Sequence, residues 1–571
     1  MQASSLRVRL FLVVSAITFL TTSLFAEPTI TVLSPGSTSS SGSPVFYEAY
    51  ATSSSCSNGI AAIRIYTAPG INAYTVGGAH LETFIDPKPG TYDTVVQAWD
   101  NCGGVGKAFV TINVNSDTAV TVFMPSSPAG QIPNHLAASA QRPSCAAGIN
   151  AMRIYTANGV APYTVHSSYL NAFVNLLPGT YNFTVQAWDN CGKVLKSTFT
   201  QTLAGQTDGY LYAVNGGVNG TVAEFQLDDG VLSNPNGDGL PPQFQTASGP
   251  QSIAIDPGGW FAYVLTMGGI SAYEVSQTNG ALMPISGSPF RTNGSSSDIT
   301  IDPNGNFLSI CDKNLNSISV YRIDRSSGAL TETATIYGSA GFNGLAAVST
   351  DSSGQYLYAV NQNYSSVQVF GYRINLDTGA LTEVPGSPYT VGNAVTPNPD
   401  SGFALSSVAN YLYVGTQTGT GQAFGYSVNF STGELTPIPT STAWLIDEVP
   451  AYPRALLADN QGRFVWAPGS APSTSPQNWF TGYEIMSGGV LANQTRNLNG
   501  SFFTQSIVED GSGKYLYVQG FDQDCTSDSC PSLVSSFFLN YSSLVRISGP
   551  LSTSGEGTAA RGIAVGRKTG D

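Results

Sequence analysis

Histidine, the side chain best suited to moving protons near neutral pH, occurs three times in 571 residues, as His80, His135 and His166. None lies beyond residue 166, so any general base in the rest of the chain must be a carboxylate whose pKa burial has raised. The run Asp522-Gln523-Asp524-Cys525-Thr526-Ser527-Asp528-Ser529-Cys530 puts three carboxylates on a tip that a Cys525–Cys530 bridge would close. Three oxygens at this spacing suit Ca²⁺, but the glycine and closing bidentate glutamate of an EF-hand are missing. No cofactor is therefore expected, with Ca²⁺ at Asp522, Asp524 and Asp528 as the alternative. Cys311, the odd one of seven cysteines, reads as a small apolar residue in a buried strand, with a reactive thiol or intermolecular bridge as the alternative.

These residues sit in a chain with little charge. Only 10% of positions are Asp, Glu, Lys or Arg, while 62 Gly and 33 Pro call for many turns and short strands. The net charge of −14 lacks the basic footprint of a nucleic-acid binder, so no nucleic acid is expected as a partner. Arg7 and Arg9 precede an apolar run from Leu10 to Phe25, and Ala26 offers a small residue before Glu27. Residues 1–26 therefore read as a signal peptide, and no later stretch is long and apolar enough to cross a bilayer as a helix. A secreted, periplasmic or cell-surface protein with disulfides follows as the expectation, monomeric and without a transmembrane segment once the leader is removed.

Two copies of one unit come next. Residues 55–103 and 144–192 repeat at a constant offset of 89, with KPGTYDTVVQAWDNCG matched by LPGTYNFTVQAWDNCG. Short alternating runs between Gly, Pro and Asn turns predict a small β-sandwich for each copy, over 27–115 and 116–204. Pairing within each copy gives Cys56–Cys102 and Cys145–Cys191. Closing a loop of this size constrains the unfolded chain by about 4 kcal/mol in the chain-entropy account. The Tyr92 and Tyr181 segments resemble the tyrosine corner of bacterial immunoglobulin-like modules, which implies that Trp99 and Trp188 pack in the core beside the tyrosine.

From residue 207 to 571 a second repeat appears, with a period near 50. Its first mark is a turn at Asp256, Asp302, Asp351, Asp459 and Asp510, each followed by an aromatic strand, with a degraded copy, ALSSVANYLYVG. Its second is a Gly-x-Leu hairpin at Gly230, Gly280, Gly328, Gly379, Gly433 and Gly489, weaker at Ser543-Leu544. Four-stranded units repeated this way predict a seven-bladed β-propeller. GYLYAV at 209–214 lacks an inner strand and ARGIAVG at 560–566 lacks a successor, so their pairing should close the ring. The fold class is thus all-β, two sandwiches followed by a propeller.

The blade pattern resembles the lactonase-type seven-bladed propellers, a family that includes bacterial 6-phosphogluconolactonases, over roughly residues 207–567. The resemblance implies an active site at the mouth of the channel, where Arg, His and Glu near the inner-strand starts act on a lactone. The family's Gly-Pro-Arg-His segment is matched by Tyr452-Pro453-Arg454-Ala455, which keeps the arginine and replaces the histidine. Gly249-Pro250-Gln251-Ser252 replaces both, and Ala560-Arg561-Gly562 keeps the arginine alone. On this basis Arg454 and Arg561, with Gln251, Ser252 and Gln505, are the candidate ligand-binding residues, because paired guanidinium groups hold carboxylate or phosphate well. Inter-blade salt bridges are the alternative for both arginines. Asp298, Glu448 and Glu509 are the candidate bases. Two functions follow: an exported protein that binds a small anionic or carbohydrate-type ligand, or a surface partner, at the channel mouth, and alternatively a secreted lactone hydrolase with a carboxylate base.

Overall fold

The structure, a computed structural model, describes residues 27–567 apart from 37–38, 55, 57, 68–73, 117, 124–129, 132–133, 157–162, 175–178, 205–207, 217–219, 295, 339–343, 362–366, 392–403, 417–421, 440–442, 445–454, 470–477, 501, 523–531, 541–542 and 554–559. The expected leader, Glu448, Arg454, Asp524, Cys525, Asp528 and Cys530 lie outside the described residues. The described chain is built of strands, with one 3₁₀ turn at Ser487–Gly489. No helix among these residues is long and apolar enough to cross a membrane.

Each duplicated unit folds as two packed sheets. In the first, Thr29–Ser34, Val45–Thr52 and His80–Ile85 pair in one sheet, and Ser39–Ser41, Ile60–Tyr66, Tyr74–Gly77, Gly90–Asp100 and Val105–Val114 in the other. The second repeats this arrangement. The cores correspond across the copies: Ile63, Ile65, Leu81, Val96 and Ala98 in one, Met152, Ile154, Leu170, Val185 and Ala187 in the other. Cys56–Cys102 and Cys145–Cys191 form as disulfides, each spanning 46 residues. Beside each bridge an aspartate carboxylate accepts two backbone N–H groups: Asp100 from Cys102 and Gly104, Asp189 from Cys191 and Lys193. The corner tyrosine is in place, Tyr92 donating from its hydroxyl to the Lys88 carbonyl at 2.8 Å.

The tryptophans depart from expectation. Trp99 and Trp188 are half-buried on the outer sheet face, because Val96 and Ala98, or Val185 and Ala187, take the inward positions and the two-residue period turns the next residue outward. Arg64 lies over Trp99 at 5.6 Å and Arg153 over Trp188 at 5.5 Å, so cation–π contact replaces core packing.

Seven antiparallel sheets follow, and their inner strands, Ala560–Arg567, Ser252–Ile255, Ser296–Ile301, Leu345–Thr350, Ala404–Val408, Leu457–Ala458 and Phe502–Glu509, touch in sequence around a closed ring. Blade one is completed from both ends of the region, Ala560–Arg567 pairing with Gly209–Asn215, so the ring leaves no open joint.

Both sequence marks have local causes. The turn aspartates are buried and gather the amides that the bend leaves unpaired. Asp302 accepts from Asn304, Asn306 and Phe307 at 2.9, 2.8 and 2.6 Å, and Asp256 and Asp351 repeat the pattern. Blade five makes this turn in two residues, Ala409-Asn410, without an aspartate, Ala409 taking the left-handed backbone at φ +49°. The hairpin glycines make the contact between blades. Gly280 has φ +77°, and a Cβ there would stand 2.4 Å from the Tyr210 ring of the preceding blade; Gly433 repeats this against Tyr356 at 2.3 Å. Their carbonyls accept from the buried hydroxyls of Tyr212 at 2.6 Å and Tyr358 at 2.7 Å.

Gly280→Ala should therefore lower stability by about 2–4 kcal/mol, the left-handed backbone adding to a clash that the packed ring cannot relieve. Gly237→Ala, at φ +68° with nothing within 4 Å, should lose only about 1 kcal/mol. Thermal unfolding of the two variants checks this, and equal losses would contradict the inter-blade role.

Candidate functional site at the channel mouth

Strands within a blade are antiparallel, so the aspartate turns and the Gly-x-Leu hairpins share one end of the ring and the inner-strand starts share the other. Both sandwiches pack against the turn end of blades two and three. Ala79 N–H donates to Glu274 Oε1 at 2.6 Å, Ser326 pairs with the backbone of Glu82, and Asn306 Nδ2 donates to the Tyr163 hydroxyl at 2.8 Å. The end that carries the inner-strand starts is the one these contacts leave alone.

Four of the sequence-derived residues come together at that end. Gly562, next to Arg561, packs against the backbone of Ser252, a Cβ there standing 3.4 Å from Ser252 Cα. Ile563 N–H donates to Ser506 Oγ at 3.3 Å, which brings Gln505 to the other side of the same strand. Gln251, Ser252, Arg561 and Gln505 thus occupy three consecutive inner strands, of blades two, one and seven. Gln251 Nε2 donates to the Gly249 carbonyl at 3.2 Å. Arg561 and Asp522 are placed by their strand backbones, Ala560–Arg567 and Tyr515–Asp522.

Asp298 is the third residue of the next inner strand, Ser296–Ile301 in blade three, and is half-buried. Desolvation pushes its carboxyl up to about 6, against the lowering effect of N–H donors, among them Val348 at 3.1 Å to Oδ2. A carboxylate that titrates there can take a proton near neutral pH.

Glu509 belongs to the other end. It is the last residue of its strand, beside Asp510, and its Oε2 accepts from Asn460 N–H at 2.6 Å. Burial, then the Asp459 charge, raises its pKa well above the ordinary carboxylate value. Its position along the strand separates it from Ser252, Asp298 and Arg561. Cys311 is fully buried, and burial raises its thiol pKa well above the usual value.

A second concavity was not legible in the sequence. A cleft of about 570 Å³ opens between the first sandwich and blade two, lined by Tyr50, Ser53, Trp260, Glu274, Gln277 and Asn279 among others. Burial pushes the Glu274 carboxyl up to about 7. The signal needed to find it is the contact between a sandwich and a blade, which no repeat pattern encodes.

Residues 207–397 match the family described as Lactonase, 7-bladed beta-propeller. Over 155 residues the chain is 28% identical to a 6-phosphogluconolactonase of Pectobacterium carotovorum subsp. carotovorum (strain PC1), a match covering 25% of this chain and 44% of that protein. The 6-phosphogluconolactonase of Pectobacterium atrosepticum (strain SCRI 1043) is 29% identical over 157 residues, covering 26% and 44%. The chain thus spans less than half the length of these curated relatives. A solved structure of a functionally unknown protein from Desulfotomaculum acetoxidans DSM 771 is 12% identical, with a TM-score of 0.46, over 62% of this chain and 98% of that one. The propeller is lactonase-like.

The raised pKa of Asp298 carries a sign. Its folded pKa of about 6 exceeds the ordinary value of 3.8, so its contribution is intact below about pH 4 and is lost as pH rises through 6. Asp298→Asn should therefore gain in melting temperature relative to the parent at pH 8, and show no gain at pH 4. A gain that is the same at both pH values would mean that Asp298 ionises normally.

Proposed function

We propose that this is an exported protein whose lactonase-like propeller binds a small anionic or carbohydrate-type ligand, or a surface partner, at the channel mouth, without the family's histidine-dependent catalysis. The observation that carries the reading is the complete absence of histidine from residues 207–571. On this reading Arg454 and Arg561 would take a carboxylate or phosphate, and Gln251, Ser252 and Gln505 would take hydroxyls. Two disulfides in the sandwiches support an oxidising compartment. The partner is then a small-molecule lactone, a glycan or a surface molecule.

Asp298 favours a second reading, a secreted lactone hydrolase. A carboxyl titrating near 6 on the inner strand next to Ser252 would take a proton from water as it attacks the lactone carbonyl, while Arg454 and Arg561 hold the anionic end of the substrate. Glu448 is the other candidate base on this reading.

The full chain should be titrated calorimetrically with gluconate and 6-phosphogluconate, applied to a glycan array, and assayed against gluconolactone and 6-phosphogluconolactone. The binding reading expects a signal with at least one probe, weakened about 100-fold or more in Arg454→Ala/Arg561→Ala, and lactone opening no faster than the buffer rate. Turnover lost in Asp298→Asn would replace it with the hydrolase reading. No arginine-dependent signal and no turnover would overturn both.

A further inference from the structure

Two of the three histidines meet where both sandwiches touch the propeller. His135 Nδ1 lies 3.0 Å from Glu48 Oε2, and its Nε2 lies 2.6 Å from Asn171 Oδ1. A carboxylate oxygen only accepts. The Asn171 amide is oriented by its Nδ2, which must donate to Glu82, so the Oδ1 that faces His135 also only accepts. Both ring nitrogens of His135 therefore carry hydrogen, and the ring is an imidazolium. Glu48, Glu82 and His135 have potential ligand atoms within 4.8 Å of one another, but a ring donating from both nitrogens offers no lone pair to a metal ion.

The charges close on this protonation state. The side chains of Glu48 and Glu82 are 7% and 4% exposed, and two buried carboxylates need two cations. Arg325, whose Nη1 is 3.4 Å from Glu82 Oε1, supplies one, and His135 supplies the other. His80 takes a lesser part: Nδ1 bonds the Arg325 carbonyl at 3.0 Å, while Nε2 stands 3.6 Å from Glu48 Oε1, beyond hydrogen-bond range. Aromatic faces fix both rings, His80 against Trp260 at 4.0 Å and His135 against Phe173 at 4.6 Å. Glu48, His80 and Glu82 come from the first sandwich, His135, Asn171 and Phe173 from the second, and Trp260 and Arg325 from the propeller.

We propose that protonated His135 is a latch: it holds the two sandwiches together and, through Glu82 and Arg325, to the propeller, and loss of its proton as pH rises releases the seam. Without that proton one ring nitrogen would turn a lone pair on an acceptor, Asn171 Oδ1 at 2.6 Å if Nε2 loses it or Glu48 Oε2 at 3.0 Å if Nδ1 does, and a buried carboxylate would lack its cation. The groups facing His135 are Glu48, Glu82 and Arg325. Burial and Arg325 oppose its charge, and the pull of Glu48 and Glu82 exceeds them, leaving its pKa raised. The same interactions hold the Glu48 carboxyl well below its usual range against its own burial. A histidine raised in the folded state contributes fully below its unfolded pKa, about 6.5, and loses that contribution as pH rises through the folded value. A lowered glutamate loses its contribution only on the acid side, so the opening comes with rising pH.

The test is small-angle X-ray scattering of the full chain from pH 5.5 to 9.5, beside an NMR titration of the histidine rings. The radius of gyration should rise with a midpoint that follows the His135 proton. In Glu48→Gln/His135→Phe, which removes one carboxylate together with its cation and leaves Glu82 to Arg325, the rise should vanish, and in His166→Ala, an exposed histidine elsewhere, it should persist. An unchanged radius while His135 loses its proton would overturn the latch, as would a rise that survives in the double variant. Opening by a chelator at pH 6 would overturn it too, by making the seam metal-held.

Discussion

The propeller depends on a contact repeated between neighbouring blades. At four of the joints a buried tyrosine hydroxyl donates to the carbonyl of a hairpin glycine one blade on, and an added Cβ at that glycine would run into an aromatic ring of the preceding blade. A single four-stranded blade cannot cover both of its faces, so each acquires its core by packing on its neighbours. Tyr212 to Gly280, Tyr263 to Gly328, Tyr358 to Gly433 and Tyr413 to Gly489 repeat it, and Tyr515 packs on Gly230 where the ring closes. The inner strands are carried into register by these outer contacts, and with them the polar residues at their starts.

That geometry separates the two ends of the ring. The turn end is occupied by structure: aspartates that pair with their own loop amides, hairpins that lock blades, and two sandwiches. The start end carries Gln251, Ser252, Asp298, Gln505 and the Arg561 strand, and among them Asp298 also accepts the Val348 N–H of the next blade. The histidines follow the same division. Both buried ones serve the seam at the turn end.

The legible part of the sequence was the part that recurs. Blade number, ring closure and both disulfides could be read because the same joint, turn or bridge must be built again each time, from the same residue types. Trp99 and Trp188 show where a motif misleads. Val96 and Ala98 already fill the inward positions, so the alternation itself sends Trp99 outward, whatever an immunoglobulin-like corner implies. Glu509 was legible in principle as well, since adjacency to Asp510 marks the turn end of a strand. The seam was not legible. Glu48, Glu82, His135 and Arg325 come from four distant segments, and no spacing along the chain announces that they will meet.

Their divergence between the two copies nevertheless has a physical reason. At the offset of 89, Glu82 corresponds to Asn171, Glu48 to Ala137 and His135 to Phe46. The copies pack through related faces, as the Asn171–Glu82 hydrogen bond and the edge-on contact of Phe46 with His135 at 5.6 Å show. Had both copies kept a glutamate at the first of these positions, two carboxylates would stand at hydrogen-bond distance in a dry interface, and one would have to hold a proton. An amide in one copy turns that repulsion into a donor–acceptor pair. A histidine in place of phenylalanine then gives the remaining carboxylates the cation that Arg325 alone cannot supply. Self-association of a duplicated surface thus requires its copies to differ where acids would meet, and the difference leaves the junction dependent on a single proton.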